Sequence, residues 1–93
     1  MSRRVMTGDE LTKALAEAPG WKIEDNALTQ TRVFDDFAGA MQFVNGAATL
    51  AEELGHHPDI DIRYNKVKLG LTTHDSGGIT EMDLRLAARL DRI

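Results

Sequence analysis

Between Gly55 and Pro58 the hydrophobic spacing of this chain changes from helical to alternating, and that switch limits its fold more than any other feature. Before it, Phe37, Met41, Val44, Ala48 and Ala51 recur at helical spacing, with Phe43, Ala47, Leu50 and Leu54 beside them. After it, Ile60, Ile62 and Tyr64 alternate with Asp59, Asp61 and Arg63; then Val67, Leu69 and Leu71 alternate with Lys66, Lys68, Gly70 and Thr72. The spacing predicts a long helix followed by two half-buried antiparallel strands. Asp35 or Asp36 can cap that helix, Gly55 suits its left-handed stop, and Pro58 prevents its resumption. Its apolar band is wide enough to predict burial on two sides. Small residues at Ala38, Gly39, Ala40, Gly46, Ala47 and Ala48 allow close approach to a sheet.

The flanking segments follow the same logic. Thr7 can cap a first helix with Glu10 three residues on; Leu11, Leu15 and Ala18 form its apolar edge, and Pro19-Gly20 end it. Trp21 to Glu24 and Leu28 to Phe34 read as a hairpin around Asp25-Asn26-Ala27. Tyr64 shares register with Ile60 and Ile62, which predicts core packing, while Asp59 and Asp61 mark a wet strand face. Thr80 can cap a last helix with Asp83 at its third position, on a stripe of Ile79, Met82, Leu86, Leu90 and Ile93. The order is α-ββ-α-ββ-α, which argues for an α+β fold: a four-stranded antiparallel sheet with helices packed on one face.

Ninety-three residues without repeats or linkers read as a single domain over 1–93. A domain this small buries roughly 60–65 % of its unfolded surface, so it gains from a metal, a disulfide or a partner subunit. The absence of cysteine excludes disulfides, thiol catalysis and cysteine-based zinc sites. With 11 basic and 15 acidic residues, net −4, no nucleic-acid partner is expected. No apolar run spans a membrane, and the segment from Met1 to Met6 lacks the apolar stretch of a secretory leader. A cytoplasmic location is the expectation.

All three histidines fall at predicted element ends: His56 and His57 after the long helix, His74 after a strand. Loops at such ends are where sites form, and imidazole exchanges protons near neutrality. With Glu52 one helical turn before His56, they make a candidate acid–base cluster. A metal site competes for the same donors, but His56 and His57 are adjacent and neighbouring side chains diverge. A serine nucleophile finds little support. The only serines are Ser2 and Ser76, and Asp75-Ser76-Gly77-Gly78 reads as turn chemistry. Read locally, Asp83 is a helix-capping acid, Glu52 a solvated helix residue and Trp21 a core or hairpin residue.

Glu52-x-x-x-His56-His57-Pro58, then Tyr64, His74 and Asp83, together with the words Gly-His-His-Pro-Asp, Tyr-Asn-Lys-Val and Thr-Thr-His, resemble the pattern of the pterin-4a-carbinolamine dehydratases. Gly20-Trp21 matches an early feature of the same family, so the resemblance runs over nearly the whole chain. It implies a four-stranded antiparallel sheet with helices on one face, assembled as a homodimer or homotetramer. It also implies a lyase of pterin cofactor recycling that needs neither metal nor cofactor. A hydroxyl at carbon 4a of a tetrahydropterin leaves as water, giving quinonoid dihydropterin. By the same resemblance His56 and His74 flank the leaving hydroxyl as acids, and His57 orients the substrate and contributes to catalysis. Asp83 and Glu52 are carboxylates that fix histidine tautomers or raise their pKa, Asp83 within the catalytic set and Glu52 beside the substrate. Trp21 lines the pterin pocket. A rival reading is a non-catalytic binding or assembly protein, or a transcriptional co-regulator, working through the long helix. A metal-binding module is a third.

Overall fold

The computed structural model describes residues 4–93. Ser2, and half of the Met1–Met6 segment considered above, lie outside the described residues. The elements are α1 (Asp9–Glu17), β1 (Lys22–Glu24), β2 (Ala27–Val33), α2 (Phe37–Leu54), β3 (Asp59–Arg63), β4 (Lys66–Leu71) and α3 (Glu81–Leu90). The strands form one four-stranded antiparallel sheet, as expected, in the order β1-β2-β4-β3.

Alternation along β4 decides which face is covered. Val67, Leu69 and Leu71 are fully buried, and with Leu28 of β2 they meet Ala40, Phe43 and Ala47 of α2 and Leu86, Ala87 and Leu90 of α3. Each buried leucine contributes about 1.5–3 kcal/mol of apolar transfer. Of the small residues of α2, Ala40 and Ala47 have no exposed surface and lie in the core, whereas Ala38 and Ala48 are exposed and take no part in a close approach to the sheet. The opposite face carries Lys22, Glu24, Thr29, Thr31, Asp59, Asp61, Lys66 and Lys68, which the register places together.

Three local expectations need correction. Gly8, not Thr7, occupies the cap of α1, and no side chain caps it; Glu10 instead pairs with Arg4, whose pull holds the Glu10 carboxyl below its usual range. Asp25 and Asn26 alone make the first hairpin turn, both at positive φ (50° and 63°), and Ala27 already pairs with Glu24. Tyr64 is not core: it sits in the β3–β4 turn at φ 55°, 66 % exposed. The turn takes Tyr64 out of strand register, so the alternation that includes Ile60 and Ile62 stops before it. Within this chain α2 buries Ala40, Phe43, Ala47 and Ala51, and Phe37 at its start is half exposed.

Candidate active site

Two chain reversals bring the histidines together. Asp59 pairs with Gly70, so the segment just before β3 lies beside the segment just after β4. Gly55 ends α2 in the left-handed region (φ 63°), with its N–H on the carbonyls of Ala51 and Glu52, and His56 N–H on Ala51 O at 3.1 Å. A side chain at Gly55 would strain that stop. The stop turns His56 inward and leaves His57 on the surface. After β4, Thr73 N–H donates to Gly78 O (2.9 Å), and the Asp75–Gly78 turn returns the chain to Thr80. All three histidines then line one cleft of about 240 Å³ with Gly55, Thr72, Thr73 and Asp75.

The three imidazoles sit in different surroundings. His56 is buried, and its Nε2 lies 2.5 Å from Asp83 Oδ1. Asp83 has no exposed surface; its Oδ2 accepts from Thr73 Oγ1 and from Thr80 N, both at 2.9 Å. A buried carboxylate is tolerable only when its oxygens are satisfied, and here both are. The same contacts complete a capping box at the start of α3, so one side chain both caps the helix, as its local position predicts, and contacts His56. His57 Nε2 contacts Glu52 on the exposed surface. His74 Nε2 stands 3.7 Å from Asp59 Oδ2, both largely exposed.

Glu52 therefore partners His57 and not His56, although the helical spacing pointed to His56. Trp21 does not join the cleft. It is a core residue, 4 % exposed, whose Nε1 donates to Asp91 Oδ1 at 3.0 Å. Among the described residues no group of three or more His, Asp or Glu side chains is placed to hold a metal ion; each imidazole turns to its own carboxylate. No described helix is long and apolar enough to cross a membrane.

Sequence reasoning missed Thr73, the fully buried hydroxyl behind Asp83. Its signal was present: continuing the alternation of Val67, Leu69 and Leu71 puts residue 73 on the core face, and a polar residue there must have a partner. Asp59 was read only as a wet strand residue, yet it is the carboxylate nearest His74.

The profile of the family described as pterin 4 alpha carbinolamine dehydratase matches residues 4–93. A relative from Chloroflexus aurantiacus, provisionally named a pterin-4-alpha-carbinolamine dehydratase, is 52 % identical over 84 residues, covering 90 % of each chain. One from Thermomicrobium roseum with the same provisional name is 56 % identical over 80 residues, covering 86 % of each. Among solved structures, a transcriptional coactivator/pterin dehydratase from Brucella melitensis has a TM-score of 0.90 at 36 % identity, covering 96 % of this chain and 97 % of that one. A pterin dehydratase-like protein identified as a RuBisCO assembly factor in the alpha-carboxysome has a TM-score of 0.62 at 27 % identity, covering 77 % of this chain and 83 % of that one.

Proposed function

We propose that this chain, which belongs to the pterin-4-alpha-carbinolamine dehydratase family, eliminates water from a 4a-hydroxytetrahydropterin by histidine acid–base chemistry. The observation that carries the reading is the cleft: the chain's three histidines line one hollow, and the buried one is held by a fully satisfied carboxylate. The elimination needs a proton delivered to the departing hydroxyl and a proton taken from the ring nitrogen, whose lone pair forms the new C=N bond. Three imidazoles around one hollow can divide those two transfers. His74 and His57, exposed and each beside a carboxylate, are placed to exchange protons with water between turnovers. Glu52 orients His57 on the substrate side of the cleft. Catalysis of this kind is worth about 10²–10⁴-fold, an adequate scale for a step that also proceeds unaided. The protein works on the pterin as a soluble homo-oligomer without a resident cofactor. Trp21 supports the fold in this reading and has no part in binding.

The test is turnover of freshly generated 4a-hydroxytetrahydropterin with a chelator present, comparing the wild type with a His56→Ala/His74→Ala double variant at matched fold and oligomeric state. The expected result is a large acceleration over the spontaneous rate that the double variant loses. A folded wild type that gives no acceleration refutes the activity. Equal rates for the two proteins refute the histidine assignment.

A further inference from the structure

We infer that the buried hydroxyls of Thr73 and Thr80 are positioning elements that fix the tautomer of His56, making this ring the proton acceptor of the site. The inference deepens the dehydratase reading and rests on it for the chemical step, though not for the tautomer.

Thr80 Oγ1 accepts the Met82 N–H (3.2 Å) and stands 2.7 Å from Thr73 Oγ1. Thr73 Oγ1 stands 2.9 Å from Asp83 Oδ2, which also receives the Thr80 N–H. Each hydroxyl has one proton to give. Only one arrangement leaves none idle: Thr80 donates to Thr73, and Thr73 donates to Asp83. Were Thr73 to donate to Thr80, the Thr80 proton would have no acceptor, and two oxygens would face each other at Asp83. The chain of donors therefore runs one way and ends on a carboxylate that only accepts. Thr73, Thr80 and Asp83 are all at least 98 % buried, so water does not compete for these protons.

Asp83 Oδ1 passes the consequence to His56. A carboxylate oxygen 2.5 Å from Nε2 requires the proton of the neutral ring to sit on Nε2, which leaves a lone pair on Nδ1. Among the described residues Nδ1 has no hydrogen-bond partner, and none of their fully buried side-chain nitrogens or oxygens lacks one, so Nδ1 keeps some open surface, and the hollow that His56 lines is the cleft. A ring in this state accepts a proton there. In the proposed elimination, His56 Nδ1 takes the proton of the ring nitrogen as its lone pair forms the C=N bond and the C4a–O bond breaks. The hydroxyl leaves as water with a proton from the acid side of the cleft, and the resulting imidazolium rests against Asp83. The sequence-based expectation of His56 as an acid is replaced by the opposite role, and the acid duty passes to His74 or His57.

The decisive experiment is nitrogen-15 NMR of the wild-type protein, which reports the protonated ring nitrogen without turnover. The expected result is His56 in the Nε2–H form. An Nδ1–H ring overturns the inference whatever the activity proves to be. In kinetics, Thr73→Val should lower kcat by about tenfold, the scale of one buried hydrogen bond, with KM little changed, and Thr73→Ser should restore it. A folded Thr73→Val protein with wild-type kcat and tautomer overturns the positioning role. If Thr73→Val fails to fold, the wild-type spectrum still decides the tautomer, and Thr73→Ser must then keep both it and the rate. A wild type that shows the Nε2–H form but no turnover refutes the dehydratase reading alone.

Discussion

Arg32 places a guanidinium on the helix-covered face of the sheet, opposite Val67, where a hydrophobic residue would be expected. Its Nη2 donates to Leu90 O at 2.9 Å, which also accepts the Ile93 N–H at 3.2 Å, and its Nη1 donates to Ile93 O at 3.2 Å, so the fork ties the last carbonyl of α3 to the chain end beyond it. Its carbon Cζ lies 4.4 Å from the centre of the Phe43 ring, and Nε donates to Gln30 Oε1. The perturbation is Arg32→Met, which keeps an unbranched stem and removes the fork. The bond to Leu90 is charge-assisted and partly buried, worth about 1.5–3 kcal/mol. The ring contact adds about 0.5–1 kcal/mol. Ile93 is half exposed, so water replaces that bond, and the Asp91 pair, long at 3.6 Å and with a partly exposed carboxylate, adds little. The sum is a loss of about 2–4 kcal/mol. For a domain of this size that lowers Tm by about 10–25 °C. The assay is urea and thermal unfolding followed by circular dichroism at fixed protein concentration, because self-association would otherwise shift the midpoint. Arg32→Lys, which keeps the charge without the fork, should fall between the two. An Arg32→Met protein within about 0.5 kcal/mol of wild type, the scatter of an ordinary surface substitution, would refute the view that this guanidinium clamps the end of α3.

Two further outcomes follow from the polar side of the sheet and its turns. The Glu24 carboxyl is held below its ordinary value of 4.5, first by the Thr29 hydroxyl, then by hydrogen bonds from Lys22 and Lys68 and by the charge of Lys22. A depressed carboxyl adds stability that is complete above about pH 4.5 and is lost as pH falls through the lowered folded value. Glu24→Gln should therefore lower the neutral plateau of a stability-against-pH curve slightly and flatten its acid limb, the two proteins converging at low pH; an unchanged acid limb would count against the pairing. Tyr64 holds a left-handed conformation that Asn adopts more readily, so Tyr64→Asn should raise stability by about 0.5–1 kcal/mol in urea unfolding. A loss of that size would show that the exposed ring makes contacts outside this chain.

Much of the fold was legible because period carries it. The change of spacing at Gly55 separated α2 from β3, and alternation along β4 assigned the core face. Period says nothing about a two-residue turn, which is why Tyr64 was misplaced: its spacing matched Ile62 while the chain had already reversed. The grouping of the histidines was visible at element ends, but which carboxylate each ring would meet was not. Glu52 sits at helical spacing from His56, yet the left-handed residue at Gly55 rotates His56 away and leaves His57 to take the contact. Asp83 comes to His56 across 27 positions of chain. Only the docking of α3 against the end of β4 could reveal that pair. Trp21 shows the reverse case, a residue matching a family feature whose surroundings here are those of packing.

Asp83 ties the first turn of α3 to the ring of His56, and this makes the life of the site that of a helix end. Opening that turn releases the Thr80 N–H and the Thr73 hydroxyl from the carboxylate in the same event that frees His56. Helix ends open far more often than whole domains unfold. The site is thus governed by a local equilibrium, and whatever fills the cleft against His56 also holds the start of α3 shut. Occupancy and order at this end of the molecule are two readings of one free energy.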